Sequence, residues 1–151
     1  MSLFSSLTVS ASGMAAQRAR TDLLVENLAN AETTRTPEGG PYRRKDAVFE
    51  TVEAGSAFAE ILAREFDPFA GDDPLRTGVR VSETVVDQGE PERRYIPGHP
   101  DADAQGYVAF PRINPAEEMV DLMSASRGFQ ANVGAIAAVK DMLNRSIDLL
   151  R

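Results

Sequence analysis

Helix-forming sequence occupies both ends of this chain and little of its middle. Ser2 to Ala31 and Pro115 to Arg151 each read as one long helix, while Gly, Pro and acidic residues crowd the stretch between them. The second segment carries the strongest pattern. Leu122, Phe129, Ile136, Leu143 and Leu150 recur every seventh residue, with Met119, Ser126, Val133, Lys140 and Ile147 as the companion row. Five repeats meet the heptad rule, and a helix of that length reaches about 55 Å. No compact core in a chain of 151 residues needs so long a helix, so other surfaces must cover it.

The start of that helix is well marked. Asn114 is placed to act as N-cap, Pro115 fits the first helical position, and Glu117 and Glu118 complement the dipole in the first turn. The N-terminal segment spaces Leu7, Met14, Thr21 and Leu28 seven apart, with Leu3, Ala11, Leu24 and Ala31 in the alternate positions and Val25 beside them. The stripe is thin and rich in small residues, and Gly13 inside it costs about 1 kcal/mol relative to Ala. Helices of this kind draw most of their stability from packing an apolar face. The two ends are expected to pair within the chain. That pairing should not suffice, because Ala15, Ala16, Ala131, Ala135, Ala137 and Ala138 line further faces suited to close helix contact.

Between the helices, Pro37 biases Thr36 to an extended conformation, and Glu38-Gly39-Gly40-Pro41 is a turn cluster. A basic knot follows, Tyr42-Arg43-Arg44-Lys45, and then a short strand through Ala47-Val48-Phe49. Ser56 to Phe66 reads equally as a short helix or a mobile loop, and Asp67 to Pro74 as a loop. Gly78 to Val86 alternates as a strand does, and Arg94-Tyr95-Ile96 and Gly106 to Phe110 read as two more. The expected class is α+β: long N- and C-terminal helices packed as a coiled-coil-like pair, with a small antiparallel β unit and loops between them. The expected divisions are 1–31 for the first assembly helix, 32–45 for a connecting loop, 46–114 for an acidic β-rich domain with a loop at 56–74, and 115–151 for the heptad helix.

Charge supports that division. Residues 1–45 hold six Lys/Arg against four Asp/Glu, residues 46–114 six against fourteen, and residues 115–151 four against five. Near-neutral ends let many copies pack without like-charge repulsion, and the acidic middle keeps the whole soluble. Nucleic-acid binding is disfavoured without a basic face. No apolar run approaches the ~20 residues of a membrane helix, so no direct membrane insertion is expected. Met1 to Ser6 lacks the basic and apolar regions of a cleaved signal. There is no cysteine, which removes disulfides and thiolate metal sites.

No catalytic constellation is complete. His99 is the single histidine and lies in a Pro97-Gly98-His99-Pro100 turn, where a structural or exposed role fits. Asp101, Asp103 and Gly106 match the opening of a calcium loop, but Gln105 and Arg112 stand at its fifth and twelfth positions and flanking helices are missing. Gly39-Gly40 lacks the Lys-Ser/Thr and helix of a phosphate loop. The expected set of catalytic, metal and cofactor residues is therefore empty.

Several segments resemble a known family. Ser12-Gly13-Met14-Ala15-Ala16-Gln17-Arg18 and Glu26-Asn27-Leu28-Ala29-Asn30-Ala31 look like the N-terminal signature of bacterial flagellar rod and hook proteins. Thr33 to Lys45, Tyr95 to Asp103, Gly106-Tyr107-Val108 and Glu118 to Arg127 resemble the proximal-rod members more specifically. Two residues depart from the pattern. Gly128 replaces a larger residue and is expected to loosen the helix locally, and Arg112 stands where Asn is usual.

The resemblance implies a structural subunit of the drive shaft in the basal body, spanning the periplasm and exported without signal cleavage. It also implies partners: proximal and distal rod subunits, the base of the rod at the MS ring, and the type III export apparatus. Its terminal helices become ordered on assembly around the export channel. The expected subunit-interface residues are Leu3, Leu7, Met14, Leu24 and Leu28 on the first helix. On the second they are Met119, Leu122, Phe129, Val133, Ile136, Leu143, Ile147 and Leu150. The axial-contact loop comprises Thr34, Arg35, Pro37, Gly39, Gly40, Tyr42, Arg43, Arg44 and Lys45. The rival reading is a soluble coiled-coil adaptor or secretion chaperone in a small closed oligomer, which predicts stable helices in solution.

Overall fold

The structure is a computed structural model that describes residues 3–53 and 77–149. The expectations for 56–74, and those for the side chains of Leu3 and Leu150, lie outside the described residues. In chain order the elements are α1 (Leu3–Ala29), β1 (Lys45–Glu53), β2 (Thr77–Val86), β3 (Glu92–Tyr95), β4 (Tyr107–Phe110) and α2 (Pro115–Asp148). The class is α+β, as expected, although the strands form two separate two-stranded sheets, β1 with β2 and β3 with β4. The first strand is longer than Ala47-Val48-Phe49 suggests, because Asn27 of α1 fixes its start at Lys45, as described below. No helix among the described residues is long and apolar enough to cross a membrane.

Contacts divide the chain into two compact units. Among the described residues one comprises 3–18, 49–53, 77–82 and 127–149, and the other Ala19–Val48 and Glu83–Ser126. Each unit thus takes part of both helices. In the second unit Asn27 meets Glu118 and Arg20 pairs with Asp121 at 3.4 Å, so numbers rise on one helix as they fall on the other. In the first unit, a side chain at Gly13 would meet the Asn132 amide at 3.0 Å, and one at Gly128 would meet Gln17 at 3.2 Å. The order is again antiparallel. Small and polar residues therefore fill both stretches of the helix seam.

Gly128 does not interrupt α2, which runs unbroken from Pro115 to Asp148. The expectation of local loosening is corrected: its missing Cβ leaves room for Gln17. The first turn of α2 is capped as its sequence indicates. The Ala116 N–H donates to Asn114 Oδ1 at 3.1 Å and the Glu118 N–H to the Asn114 carbonyl at 3.1 Å. At the other end of α1, the Asn30 side chain donates to the Glu26 carbonyl at 2.9 Å and its own carbonyl receives the Thr33 N–H at 3.0 Å, which turns the chain out of the helix.

Strands β3 and β4 run antiparallel with Glu92 opposite Phe110 and Tyr95 opposite Tyr107. The period of two points Val108 and Phe110 inward, where both are buried, and leaves Tyr107 outside, edge-on to Tyr95 at 5.4 Å between centroids. The connection is held by Asp103, whose Oδ1 accepts the N–H groups of Tyr107 and Gln105, both at 2.9 Å. Those bonds, Tyr107 first, hold its carboxyl below the usual aspartate range. Gly106 closes the turn at φ +84°, with Tyr95 Cε2 only 2.9 Å from where a Cβ would stand.

Two glycine substitutions should therefore move stability in opposite directions. Gly106→Ala meets both a left-handed backbone and the Tyr95 ring, and should cost about 1–3 kcal/mol. Gly134→Ala lies in the interior of α2 with nothing within 4 Å, and should stabilise by about 0.5–1 kcal/mol. The urea midpoint of Gly106→Ala and the helix content of Gly134→Ala by circular dichroism, each against the parent chain, check both signs.

Candidate assembly site

Among the described residues the most buried polar residue is Asn27, which is 0% exposed. A buried amide must satisfy both of its ends. Asn27 Oδ1 accepts the Lys45 N–H at 2.9 Å and the Tyr42 hydroxyl at 3.1 Å. Its Nδ2 donates to the Lys45 carbonyl at 2.8 Å and to Glu118 Oε2 at 3.2 Å. Both backbone groups of Lys45 are thus paired by one side chain of α1, much as a neighbouring strand would pair them. That is how β1 begins where it does.

Glu118, 2% exposed, brings a carboxylate into the same place from the first turn of α2. A buried carboxylate is tolerated when it is paired and hydrogen-bonded. Its partner is Arg44, whose Nε donates to Oε1 at 2.6 Å and whose other arm reaches Asp46 at 3.1 Å. Burial works against the Arg44 cation, but its bonds to Glu118 and Asp46 outweigh burial and hold its pKa above the ordinary arginine value. Lys45 pairs with Glu26 and lies 5.7 Å from the Tyr42 ring centroid. Burial, with Glu26 and Glu118 nearby, pushes the Tyr42 phenol up to about 12. Three segments converge here: α1, the end of the loop, and the start of α2.

The rest of the loop projects from this base. The Tyr42 N–H bonds the Thr33 carbonyl at 3.0 Å, and Thr36 closes the tip with its N–H on the Gly40 carbonyl at 2.9 Å. Gly39 and Gly40 take φ of +93° and +78°, which the turn requires. Asp101 steadies one side, accepting the Thr34 hydroxyl at 2.8 Å and facing Arg35 at 3.8 Å.

The nine loop residues named from sequence therefore fall into two groups. Arg35, Pro37, Gly39, Gly40 and Arg43 are exposed, whereas Tyr42, Arg44 and Lys45 are occupied within the chain and Thr34 is half-buried. Arg44 in particular is spent on Glu118 and is not open to a neighbour. Arg43 donates to the Asp87 carbonyl at 3.3 Å and keeps its guanidinium exposed.

The helix faces also differ from the simple heptad picture. Leu122, Ile136 and Leu143 are half-buried, but the row covered beside them is one residue earlier than Met119, Ser126, Val133, Lys140 and Ile147. It contains Glu118, Ala125, Asn132 and Val139. Met119, Val133 and Ile147 are 49%, 46% and 62% exposed, and Phe129 is 38% exposed. On α1, Leu24 is buried, while Leu7, Met14 and Leu28 are half-buried. The sequence reading missed Asn27, Glu118 and Ala125 because an apolar template passes over a small or polar seam. The signal it lacked was the coincidence of an Asn in α1 with a Glu in the first turn of α2.

Nothing in the arrangement gathers reacting groups. Among the described residues no three His, Asp or Glu side chains converge as metal ligands would. His99 Nδ1 accepts the Asp101 N–H at 3.1 Å, a turn-holding bond. The crevice lined by Tyr42, Arg44, Gly89 and Arg112 encloses about 10 Å³, the space of a single water. The Arg112 guanidinium occupies the room left by the absent side chain of Gly89.

Comparison with known proteins gives consistent results along the whole chain. The family described as flagellar basal body rod FlgEFG protein C-terminal matches residues 104–149. The chain is 39% identical to the flagellar basal-body rod protein FlgC of Borreliella burgdorferi, with 100% of this chain and 99% of that one covered. It is 40% identical to the protein of the same name from Bacillus subtilis, covering 99% of each. The corresponding protein of Escherichia coli O157:H7 is 35% identical, over 99% of this chain and 98% of that one.

The raised Tyr42 phenol sets a pH dependence. Below pH 10 the group is protonated folded or unfolded, and its contribution is present in full. As pH climbs from 10 to about 12 the unfolded chain loses the proton while the folded one keeps it, so stability falls. Urea midpoints measured from pH 9 to 12 should decline, and Tyr42→Phe should flatten that decline while lowering the unfolding free energy at neutral pH by about 1 kcal/mol for the lost bond to Asn27.

Proposed function

We infer that this chain, which belongs to the flagellar basal-body rod protein FlgC family, is a structural subunit of the rod of the flagellar basal body. It is not an enzyme. It assembles with other rod components. What carries this reading is full-length identity of 34–40% to rod proteins, together with a long C-terminal helix on which Met119, Met123, Phe129, Val133 and Ile147 remain exposed.

The finer reading concerns how the subunit joins its neighbours. The exposed face of α2, with Met119, Val120, Met123, Phe129, Val133, Met142 and Ile147, offers more apolar surface than one chain can use. Neighbouring subunits would cover it, together with Leu7, Met14 and Leu28 of α1 and the half-buried row of Leu122, Ile136 and Leu143. The exposed loop tip, Arg35, Pro37, Gly39, Gly40 and Arg43, would meet an axially adjacent subunit. The rod so formed would cross the periplasm, receive its subunits through the flagellar type III export apparatus without signal cleavage, and stand on the MS ring at its base. Its helices would line the export channel while the shaft transmits torque.

Helix order should then depend on assembly, and unevenly. Residues 19–31 and 115–126 are tied by the Asn27–Glu118 contact and the Arg20–Asp121 pair. Residues 3–18 and 127–148 meet at Gly13 with Asn132 and Gly128 with Gln17, and leave Val9, Phe129, Val133, Met142 and Ile147 exposed. Those distal halves should fray in the free monomer and order when neighbours bury them.

Far-ultraviolet circular dichroism over a dilution series, with light scattering on the same samples, checks this. Dilute monomer should show clearly less helix than the 27 and 34 residues of α1 and α2, rising as particles grow. Full helicity in a small closed oligomer would instead favour an adaptor.

A second test addresses the loop. Reversing Arg35 and Arg43 to Glu should abolish rod incorporation and motility while leaving the monomer's unfolding free energy within about 0.5 kcal/mol, since both lie on the surface. Normal motility of that variant would exclude the loop tip as an axial contact. Arg44 is unsuitable for this purpose, because its loss strands Glu118.

A further inference from the structure

We infer that the Asn27 cluster is a coupling device: it makes the shape of the loop and the docking of α2 one cooperative event. The loop ends on Tyr42, Arg44 and Lys45, and each of the three is committed to the cluster. Tyr42 donates its hydroxyl to Asn27, Lys45 gives Asn27 both backbone groups, and Arg44 grips Glu118. Seen from α2, Glu118 at 2% exposure has two partners, Arg44 on the loop and Asn27 on α1.

If α2 undocks, Arg44 loses its anchor and Asn27 loses one acceptor. If the loop lets go, a carboxylate is left buried with only an amide to face it, and α2 is expelled. Neither segment keeps its bonds without the other. The charged and titratable groups around the cluster are Glu26 from α1, Tyr42, Arg44, Lys45 and Asp46 from the loop and β1, and Glu118 from α2.

Coupling of this kind is reciprocal. Whatever holds the exposed loop tip also favours a docked α2, and whatever buries α2 also steadies the tip. Its meaning for assembly rests on the rod reading above: a subunit gripped at its loop would seat its C-terminal helix, and a subunit free in solution would present its loop only part of the time. The coupling itself is a property of the single chain and can be measured without a rod.

Hydrogen exchange on the full-length purified chain reads both segments at once. The loop reporters are the Tyr42 and Lys45 amides, bonded to Thr33 and Asn27, and the helix reporters are the amides of Leu122 to Ala125. The Ile96 amide, bonded to the Gly106 carbonyl at 2.9 Å, serves as an internal reference away from the cluster. Glu118→Ala should speed both sets of reporters by about tenfold or more, the scale of one lost charge-assisted bond. Glu118→Gln, which keeps an acceptor for Asn27 but removes the charge facing Arg44, should speed them less and by a common factor. Met119→Ala, a neighbouring truncation of an exposed side chain, should leave both sets unchanged.

A common factor with Ile96 unmoved establishes the coupling. Faster exchange in α2 with the loop amides unchanged, or the reverse, overturns it. So does a parent chain in which neither set is protected. A chain that passes this test yet never enters a rod would discredit the rod reading alone.

Discussion

One carboxamide organises this subunit. Asn27 is wholly buried and uses both ends of its side chain, and its partners come from the two neighbouring segments that must find α1. A hydrophobic residue in its place could pack against α2 in more than one rotation. The amide accepts one arrangement, because only there do Lys45, Tyr42 and Glu118 satisfy it together. Directional bonds in a low-dielectric setting supply uniqueness where apolar area supplies affinity. The start of β1, the end of the loop and the depth at which α2 sits all follow from that requirement.

The helix pairing shows the same economy. The contacts between the helices are Gly13 with Asn132 and Gly128 with Gln17 in one unit, and Arg20 with Asp121 and Asn27 with Glu118 in the other, so small and polar side chains rather than large apolar ones make them. Leucine-rich seams would bind more tightly and would satisfy the helices within the monomer. Here the larger residues Met119, Met123, Phe129, Val133 and Ile147 remain outside. A subunit that withholds its apolar surface from itself retains a reason to polymerise.

Much of this was legible in the sequence. Both helices, the Asn114 cap, the turn at Gly39-Gly40 and the strands at 78–86 and 106–110 follow from period, capping chemistry and glycine placement, all of which are local. The class follows from their order. What could not be read was long-range and polar. The heptad template picks out the row of Leu122, Ile136 and Leu143, which is half-buried, but it also includes the exposed Phe129 and pairs the row with Met119 and Val133, since it ranks residues by hydrophobicity. The covered companions are Glu118 and Ala125, a charge and a methyl group, which no apolar template would choose. Likewise Arg43 and Arg44 are indistinguishable as neighbours in a basic run, yet the extended chain turns one to water and the other to a buried carboxylate. Position in the fold separates them, and composition does not.

The one-residue offset between the two rows of α2 has a geometric consequence. Successive residues stand about 100° apart around a helix, so Glu118 and Met119, or Asn132 and Val133, are neighbours in the gene and occupy different surfaces. The first of each pair answers to α1 of its own chain and can change only in step with that helix. The second is exposed, and its side chain is released from that constraint. A single stretch of helix therefore serves two surfaces at once, one set by the fold of its own chain and one left exposed upon it.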